Sequence, residues 1–160
     1  MITFRREVRP EDVETVRDII VSTDFFYDFE VPVAVELVQE RLDEGAASDY
    51  HFIFAELDGK TVSYSCFGPV AATEGSFDLY WIATHNAYRG KGIGNLLIEE
   101  THRIIGEMGG RIVIAETSTL EKYTPTRHFY DQTGYTKEAQ IDDFYKAGDG
   151  KVFFVKRLKK

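Results

Sequence analysis

Residues 89–94 read Arg-Gly-Lys-Gly-Ile-Gly, with glycine at every second position, between an alternating apolar segment and a stretch of helical periodicity. Glycines so spaced let successive backbone N–H groups turn inward with no Cβ atom blocking an approaching anion. A helix beginning directly afterwards contributes the unpaired N–H groups of its first turn and a positive end worth roughly half a charge. Arg89 and Lys91 add formal charge. The chemistry this stretch can do is to hold a phosphate or a diphosphate. Spacing disfavours two common phosphate loops. A Walker A loop requires G-x-x-x-x-G-K-[ST], and Lys91 is followed by Gly92, which offers no hydroxyl to magnesium. A dinucleotide fingerprint requires G-x-G-x-x-G, whereas Gly90, Gly92 and Gly94 give G-x-G-x-G in mid-chain.

What does fit is R-x-x-G-x-G, at Arg89, Gly92 and Gly94, behind a strand and opening a helix. Here the chain resembles motif A of the GNAT superfamily of N-acetyltransferases. Residues 127–135, Arg-His-Phe-Tyr-Asp-Gln-Thr-Gly-Tyr, resemble that family's motif B, often written R-x-F-Y-x-x-x-G-F. The resemblance implies acetyl-CoA as co-substrate. Its diphosphate would rest on the backbone of Arg89, Gly90, Lys91, Gly92, Ile93, Gly94 and Asn95. The strand edge at Ile82, Ala83 and Thr84 would take the pantetheine amides and the thioester carbonyl, helped by a bulge that splays this strand from the next. Where the family often has asparagine the chain reads Thr117-Ser118, a departure that touches the pantetheine contact.

Acetyl transfer from sulfur to an amine expels a thiolate, which leaves more easily when an O–H donates to it. The resemblance assigns that role to Tyr130, four residues before Gly134. Amines arrive protonated at neutral pH, so a base is also needed. Asp78 lies eleven residues before Arg89, where the histone acetyltransferase branch carries a strand glutamate, and alternation puts it on one strand face with Tyr80, Ile82 and Thr84. Glu116, at the end of the next strand, competes for the role, and a water chain is a third route. The acceptor, expected to be the primary amine of a small molecule, would meet the aromatic and acidic residues Phe25, Phe26, Tyr27 and Asp28, and Phe144 with Tyr145 after Asp142-Asp143. Acids attract a cation and rings pack its apolar body. An alternative places Phe25, Phe26 and Phe29 in the core under a solvated loop. A protein or peptide amine as acceptor, and a CoA-binding sensor without catalysis, are the competing functions.

Cys66, between Ser65 and Phe67 on a predicted strand, reads as a small buried hydrophobe rather than a nucleophile. The four histidines show no ligand spacing, so no metal is expected. His85 reads as a turn residue. With 19 basic against 27 acidic residues the net charge is −8, which disfavours nucleic acid and favours cationic partners. No apolar window is long enough to span a membrane, and with one cysteine and no apolar run ahead of Arg5 a reducing cytoplasm is the expected location.

A length of 160 residues suits a single N-acetyltransferase domain, for which dimers are frequent in the family. Periodicity predicts a strand over residues 2–8 and a helix from Pro10 to about residue 23, with acids in its first turn. A second helix runs from Pro32 to Gly45. A hairpin follows around Asp58-Gly59, then a strand over 76–84. The helix after the glycines buries Ile93, Leu96, Leu97, Thr101, Ile104, Ile105 and Met108. A continuous apolar strand over 111–116 reads as its parallel neighbour. Thr124-Pro125 reads as N-cap and N1 of a helix to Gly134, and a last antiparallel pair, 135–144 and 151–158, turns at Gly148-Asp149-Gly150. The order β-α-α-β-β-β-α-β-α-β-β is an α+β arrangement, a three-layer sandwich with a mixed central sheet flanked by helices, and it is also the order of the GNAT fold.

Overall fold

Strand and helix alternate in the computed structural model, which describes residues 1–159, in the order the periodicities dictate: β1 (Ile2–Arg5), α1 (Asp12–Thr23), α2 (Glu30–Glu44), β2 (His51–Leu57), β3 (Lys60–Pro69), β4 (Ser76–Thr84), α3 (Ile93–Glu107), β5 (Ile112–Ser118), α4 (Thr124–Gln132), β6 (Thr136–Lys146) and β7 (Asp149–Arg157). The seven strands form one mixed sheet in the order β1-β2-β3-β4-β5-β7-β6, parallel between β4 and β5. The chain divides into two compact units, residues 1–68 with 81–101, and residues 69–80 with 102 onward.

In the first unit α1 and α2 each turn one apolar stripe inward. Val16, Ile19, Ile20, Ala34 and Val38 form one cluster with Phe52 and Phe54 of β2, Tyr64 and Cys66 of β3, and Ala83 of β4. Burying each large side chain of this kind contributes roughly 1.5–3 kcal/mol. Cys66 is the expected small hydrophobe, and burial pushes its thiol well above the usual range. Asp58 (φ 50°) and Gly59 (φ 87°) both adopt positive φ, as a type I′ turn between β2 and β3 requires. The unit also holds a buried ion pair. Asp12, read in the sequence as a first-turn acid, accepts from Arg5 Nη1 at 2.8 Å, Arg5 Nη2 at 2.9 Å and the Arg9 amide at 2.7 Å. Arg5 also donates to Glu56 and lies 4.5 Å from the centroid of Phe54. This forked contact ties the start of α1 to β1 and β2. It also ends β1 at Arg5 rather than at residue 8, since the chain beyond turns to bring Asp12 back onto Arg5.

In the second unit the parallel register runs from Ser76↔Ile112 to Leu79↔Ala115, and β5 pairs with β7 from Ile112↔Arg157 to Ser118↔Lys151. Residues paired across a ladder share a face. Phe77, Leu79, Val113, Ala115, Val152 and Phe154 therefore make the buried face, while Asp78, Ile114, Glu116, Lys151 and Phe153 occupy the other.

Several boundaries differ from the sequence reading. Asp149 is no turn residue: it opens β7, is 2% exposed and accepts from the Ser118 hydroxyl, while the turn falls at Ala147-Gly148. Thr124 lies inside α4, after Tyr123 as N-cap, with its hydroxyl accepting from Arg127 at 3.0 Å. Along α3 Leu96 and Met108 face solvent and Ile98 is buried instead, because the inward stripe drifts around the helix over its four turns. Asp12→Ala removes the forked contact and leaves Arg5 only Glu56 as a charged partner, so it is expected to lower unfolding free energy by about 1–3 kcal/mol, read as a lower urea midpoint with an unchanged slope.

Candidate functional site

The glycine-rich segment of the first unit takes the conformation that only glycine adopts cheaply. Gly90 has φ 77° and Gly92 φ 76°, in the left-handed region, and a Cβ added at either would meet nothing within 4 Å. Backbone angle, not crowding, therefore demands glycine here, a different reason from the close approach inferred from sequence. The first bond of α3 is Leu96 N–H to Gly92 O at 3.2 Å, so the amides of Ile93, Gly94 and Asn95 head the helix without an intrahelical acceptor. Arg89 is extended (φ −71°, ψ 156°), and two positive-φ glycines leading from it straight into a helix head form a nest of N–H groups suited to an anion. Ile93 is buried and pins the first turn, while Arg89, Gly90, Lys91, Gly92 and Asn95 are exposed.

The turn before the nest is tied to the last turns of α1. The Asn86 amide donates to Ser22 Oγ at 3.0 Å, His85 Nε2 stands 3.4 Å from the Asp18 carboxylate, and His85 Nδ1 accepts from the Ala87 amide at 3.1 Å. His85 is thus the turn residue expected of it. The end of β4 is held on β3: Ser63 Oγ donates to Ala83 O at 2.8 Å and pairs with Thr84 Oγ1 at 2.9 Å, and the His85 amide donates to Val62 O at 2.8 Å. Ile82 and Thr84 are half-buried, and β4 runs on past Leu79, where its pairing with β5 ends.

Aromatic residues 25–29 divide by side chain. Phe26 meets Trp81 edge to face at 5.0 Å and packs on the core, as the core alternative held. Phe25 lies under the Arg89 guanidinium at 6.0 Å. Tyr27 stacks on Phe29 at 5.4 Å, and Asp28 and Phe29 face solvent.

In the second unit Asp78 is half-buried, and burial first, then the like charge of Glu116, raise its carboxyl above the usual range against an opposing pull from Lys151. Glu116 Oε2 is 2.8 Å from Lys151 Nζ. Segment 142–145 is a bulge rather than regular strand: Ile141 pairs with Lys151 and Lys146 with Asp149, so four residues of β6 face only Gly150 of β7. Asp143 turns left-handed there (φ 59°) and accepts from the Gly148 amide at 2.7 Å. Phe144 and Tyr145 meet edge to face at 5.1 Å, each about half exposed.

Tyr130 sits on the buried face, 5% exposed, with its ring 5.5 Å from Phe154 and 5.1 Å from Tyr135. Asp78 and Tyr130 therefore belong to opposite faces of this part of the sheet. Burial raises the Tyr130 phenol, which stays an O–H donor at neutral pH. Two motif residues fix its position. Arg127 Nη1 donates to the carbonyls of Ser118 at 2.6 Å and Leu120 at 2.9 Å, fastening α4 to the end of β5. Gly134 (φ 93°) lets the Tyr135 amide reach back to Tyr130 O at 3.0 Å, closing the helix C-terminus.

An open cleft of about 650 Å³ lies elsewhere in this unit, lined by Arg103, Arg111, Ile112 and Arg157 among others. It holds none of the candidate residues. Its arginines are engaged with Glu107, Glu74 O and Glu138 respectively.

The sequence reading missed Lys151, Ser63 and the Ser22–Asn86 tie. Alternation alone placed Lys151 on the face of Phe153, but its approach to Glu116 depends on strand pairing that no local pattern reveals.

A family model described as an acetyltransferase (GNAT) domain matches residues 48–137. A crystal structure of a protein from Desulfovibrio desulfuricans assigned to the GNAT acetyltransferases superposes with a TM-score of 0.96 at 44% identity, covering 98% of this chain and 99% of that one. Similarity of fold extends to a protein assigned as a phosphinothricin N-acetyltransferase (TM-score 0.78, 21% identity, 100% of both chains). It extends further to an aminoglycoside 6'-N-acetyltransferase complexed with coenzyme A (TM-score 0.77, 13% identity, 100% of this chain and 98% of that one). No curated protein sequence matches the chain.

His102 of α3 is hydrogen-bonded to the Tyr135 hydroxyl at 2.7 Å, beside Tyr130. Burial, with a smaller push from Lys156, lowers its pKa to about 4. The unfolded chain takes up this proton near pH 6.5 and the folded chain only near 4, so stability is full above pH 6.5 and falls as pH drops through that window. Between pH 7 and 4 the wild type is expected to lose about 3 kcal/mol more than His102→Gln, measured by denaturant unfolding at each pH.

Proposed function

Because the chain belongs to the GNAT family of acetyl-CoA-dependent N-acetyltransferases, we propose that it moves an acetyl group onto the primary amine of a small molecule, by direct transfer with both substrates bound together. The observation that carries this reading is the nest at Gly90 and Gly92 heading α3, whose backbone N–H groups suit the diphosphate of coenzyme A. The aminoglycoside enzyme of the same fold, crystallised with coenzyme A, supports that ligand. Arg89 and Lys91 add charge for it, and the end of β4, with Ile82 and Thr84 half-buried and Ala83 buried between them, is the stretch assigned to the pantetheine arm.

Acetyl-CoA supplies an activated acyl thioester. The ammonium first gives up one proton to become a nucleophile; its nitrogen then bonds to the acyl carbon as the carbon–sulfur bond breaks and loses a second proton, so that of the two protons released one is balanced by protonation of sulfur and one passes to solvent. Asp78 is the base in this reading. Its raised carboxyl lies nearer the amine's range than an ordinary aspartate, whereas Glu116 is held by Lys151. Tyr130 takes the sulfur side. A thiol titrates near 8.5 and this phenol above its ordinary 10, so full proton transfer would run uphill. Its contribution is therefore a hydrogen bond to the departing thiolate, with the proton drawn from solvent. Orientation of two bound reactants supplies much of the rate, on the order of 7–11 kcal/mol.

A cationic acceptor is supported by the net charge of −8 and by Asp78 and Glu116 on one face with Phe153. The rings of Phe25 and Tyr27 and those of Phe144 and Tyr145 are assigned to its apolar body, and the Asp28 carboxylate to attraction of its charge.

Thiol release from acetyl-CoA with a panel of amino acids, polyamines and other small primary amines tests the assignment. Release with at least one is expected. Release only with a lysine peptide or a protein N-terminus would move the acceptor to protein, and release with none would leave a coenzyme A sensor. Tyr130→Phe is expected to lower kcat by about tenfold to a hundredfold while the affinity for coenzyme A, from calorimetry, changes little. Equal losses in both would mark Tyr130 as a packing residue.

A further inference from the structure

Lys151 carries an ammonium enclosed as a bound amine would be. Its Nζ is 2.8 Å from Glu116 Oε2, 4.2 Å from the centroid of Phe144 and 5.1 Å from that of Phe153. Three strands contribute. Glu116 of β5 stands directly opposite Phe153 of β7, Lys151 follows on the same face two residues away, and the bulge at 142–145 swings Phe144 of β6 over the ammonium. The lysine side chain is 13% exposed although Glu116 is 40% and Phe144 48% exposed, so the enclosing groups open to solvent and their occupant is sheltered by them.

One carboxylate and two ring faces together suit an ammonium that carries N–H, and nothing in that chemistry requires the cation to belong to the chain. The resident pair is also cheap to exchange. A sheltered ion pair returns little net free energy once the desolvation of both ions is counted, and a displaced lysine regains hydration on its flexible stem.

We propose that Glu116, Phe144 and Phe153 form the receptor for the acceptor's ammonium, and that Lys151 is its resident stand-in, displaced when a cationic acceptor binds. The inference rests on the small-amine reading above and narrows it to a primary ammonium on a slender, unbranched stem. The carboxylate contact requires an N–H, which a quaternary ammonium lacks, and the space is that of a lysine side chain. With the acceptor absent, Lys151 offsets the like charges of Glu116 and Asp78, which otherwise repel on this face.

Lys151→Ala empties the receptor, and thermal unfolding with no acetyl-CoA present reads its occupation. n-Butylammonium chloride is expected to raise the Tm of Lys151→Ala by about 3 °C over sodium chloride at equal ionic strength. The wild type, with its receptor filled, should move by less than a third of that, and tetramethylammonium should raise neither. An equal shift in both proteins, or none in the variant, overturns the proposal. Lys151→Thr removes both the charge and the stem while suiting a strand position, and serves where Lys151→Ala does not fold. For the best cationic amine of the panel its KM should fall about fivefold, as the competing resident is gone, and an unchanged or raised KM overturns the displacement. The melting experiment contains no acetyl donor, so its outcome is independent of whether the acetyl-transfer reading stands.

Discussion

Two left-handed glycines set the terms for everything else. At Gly90 and Gly92 the chain takes φ values near +76°, which cost an L residue roughly 1–2 kcal/mol each. The return is a set of amides that point to one place at the head of α3, where the helix dipole favours the same anion. Such a nest has no side chain to reorient, so its precision depends on what holds the backbone. Ile93 buries the first turn of α3, and the amide of Asn86 is fixed to Ser22 of α1. β4 delivers the chain while bonded to β3 through Ser63. Beneath these contacts, the Arg5–Asp12 fork sets where α1 begins. A nest made of main chain is therefore as firm as the core that supports it.

Chemistry in the second unit follows from the period of two in its strands. One face of β4, β5 and β7 is apolar and buried, and Tyr130 is packed there on Phe154. The other carries Asp78, Glu116 and Lys151. The sheet thus separates Tyr130 from the acids, and burial acts on both faces, raising the Tyr130 phenol on one and the Asp78 carboxyl on the other. α4 is short, and its hold on Tyr130 comes from its ends: Arg127 binds two carbonyls at the close of β5, and Gly134 folds the chain back over the last turn. Motif residues that look catalytic in a pattern here do positioning work.

Local patterns made much of this legible. β4 was read with its observed limits, the Asp58-Gly59 turn by its chemistry, and the element order in full, because each depends on neighbours a few residues apart. Family membership was legible in six residues around the nest and nine around Tyr130. What escaped was set by distant pairing. Arg5 meets Glu56 across 51 positions and Ser22 meets Asn86 across 64. Lys151 reaches Glu116 only because β7 lies against β5. Asp149 has the local look of a turn residue because Gly148 and Gly150 flank it, and its burial depends on Ser118, a partner 31 positions away. The bulge in β6 gave no sign, as an alternating strand and a bulged one have the same composition there.

Backbone amide chemical shifts, followed by 15N–1H NMR during a titration with coenzyme A, test the nest most directly. The account predicts the largest changes, downfield as N–H groups bond to diphosphate oxygens, at Gly92, Ile93, Gly94 and Asn95. Saturating shifts centred anywhere else, with those four amides unmoved, would contradict it.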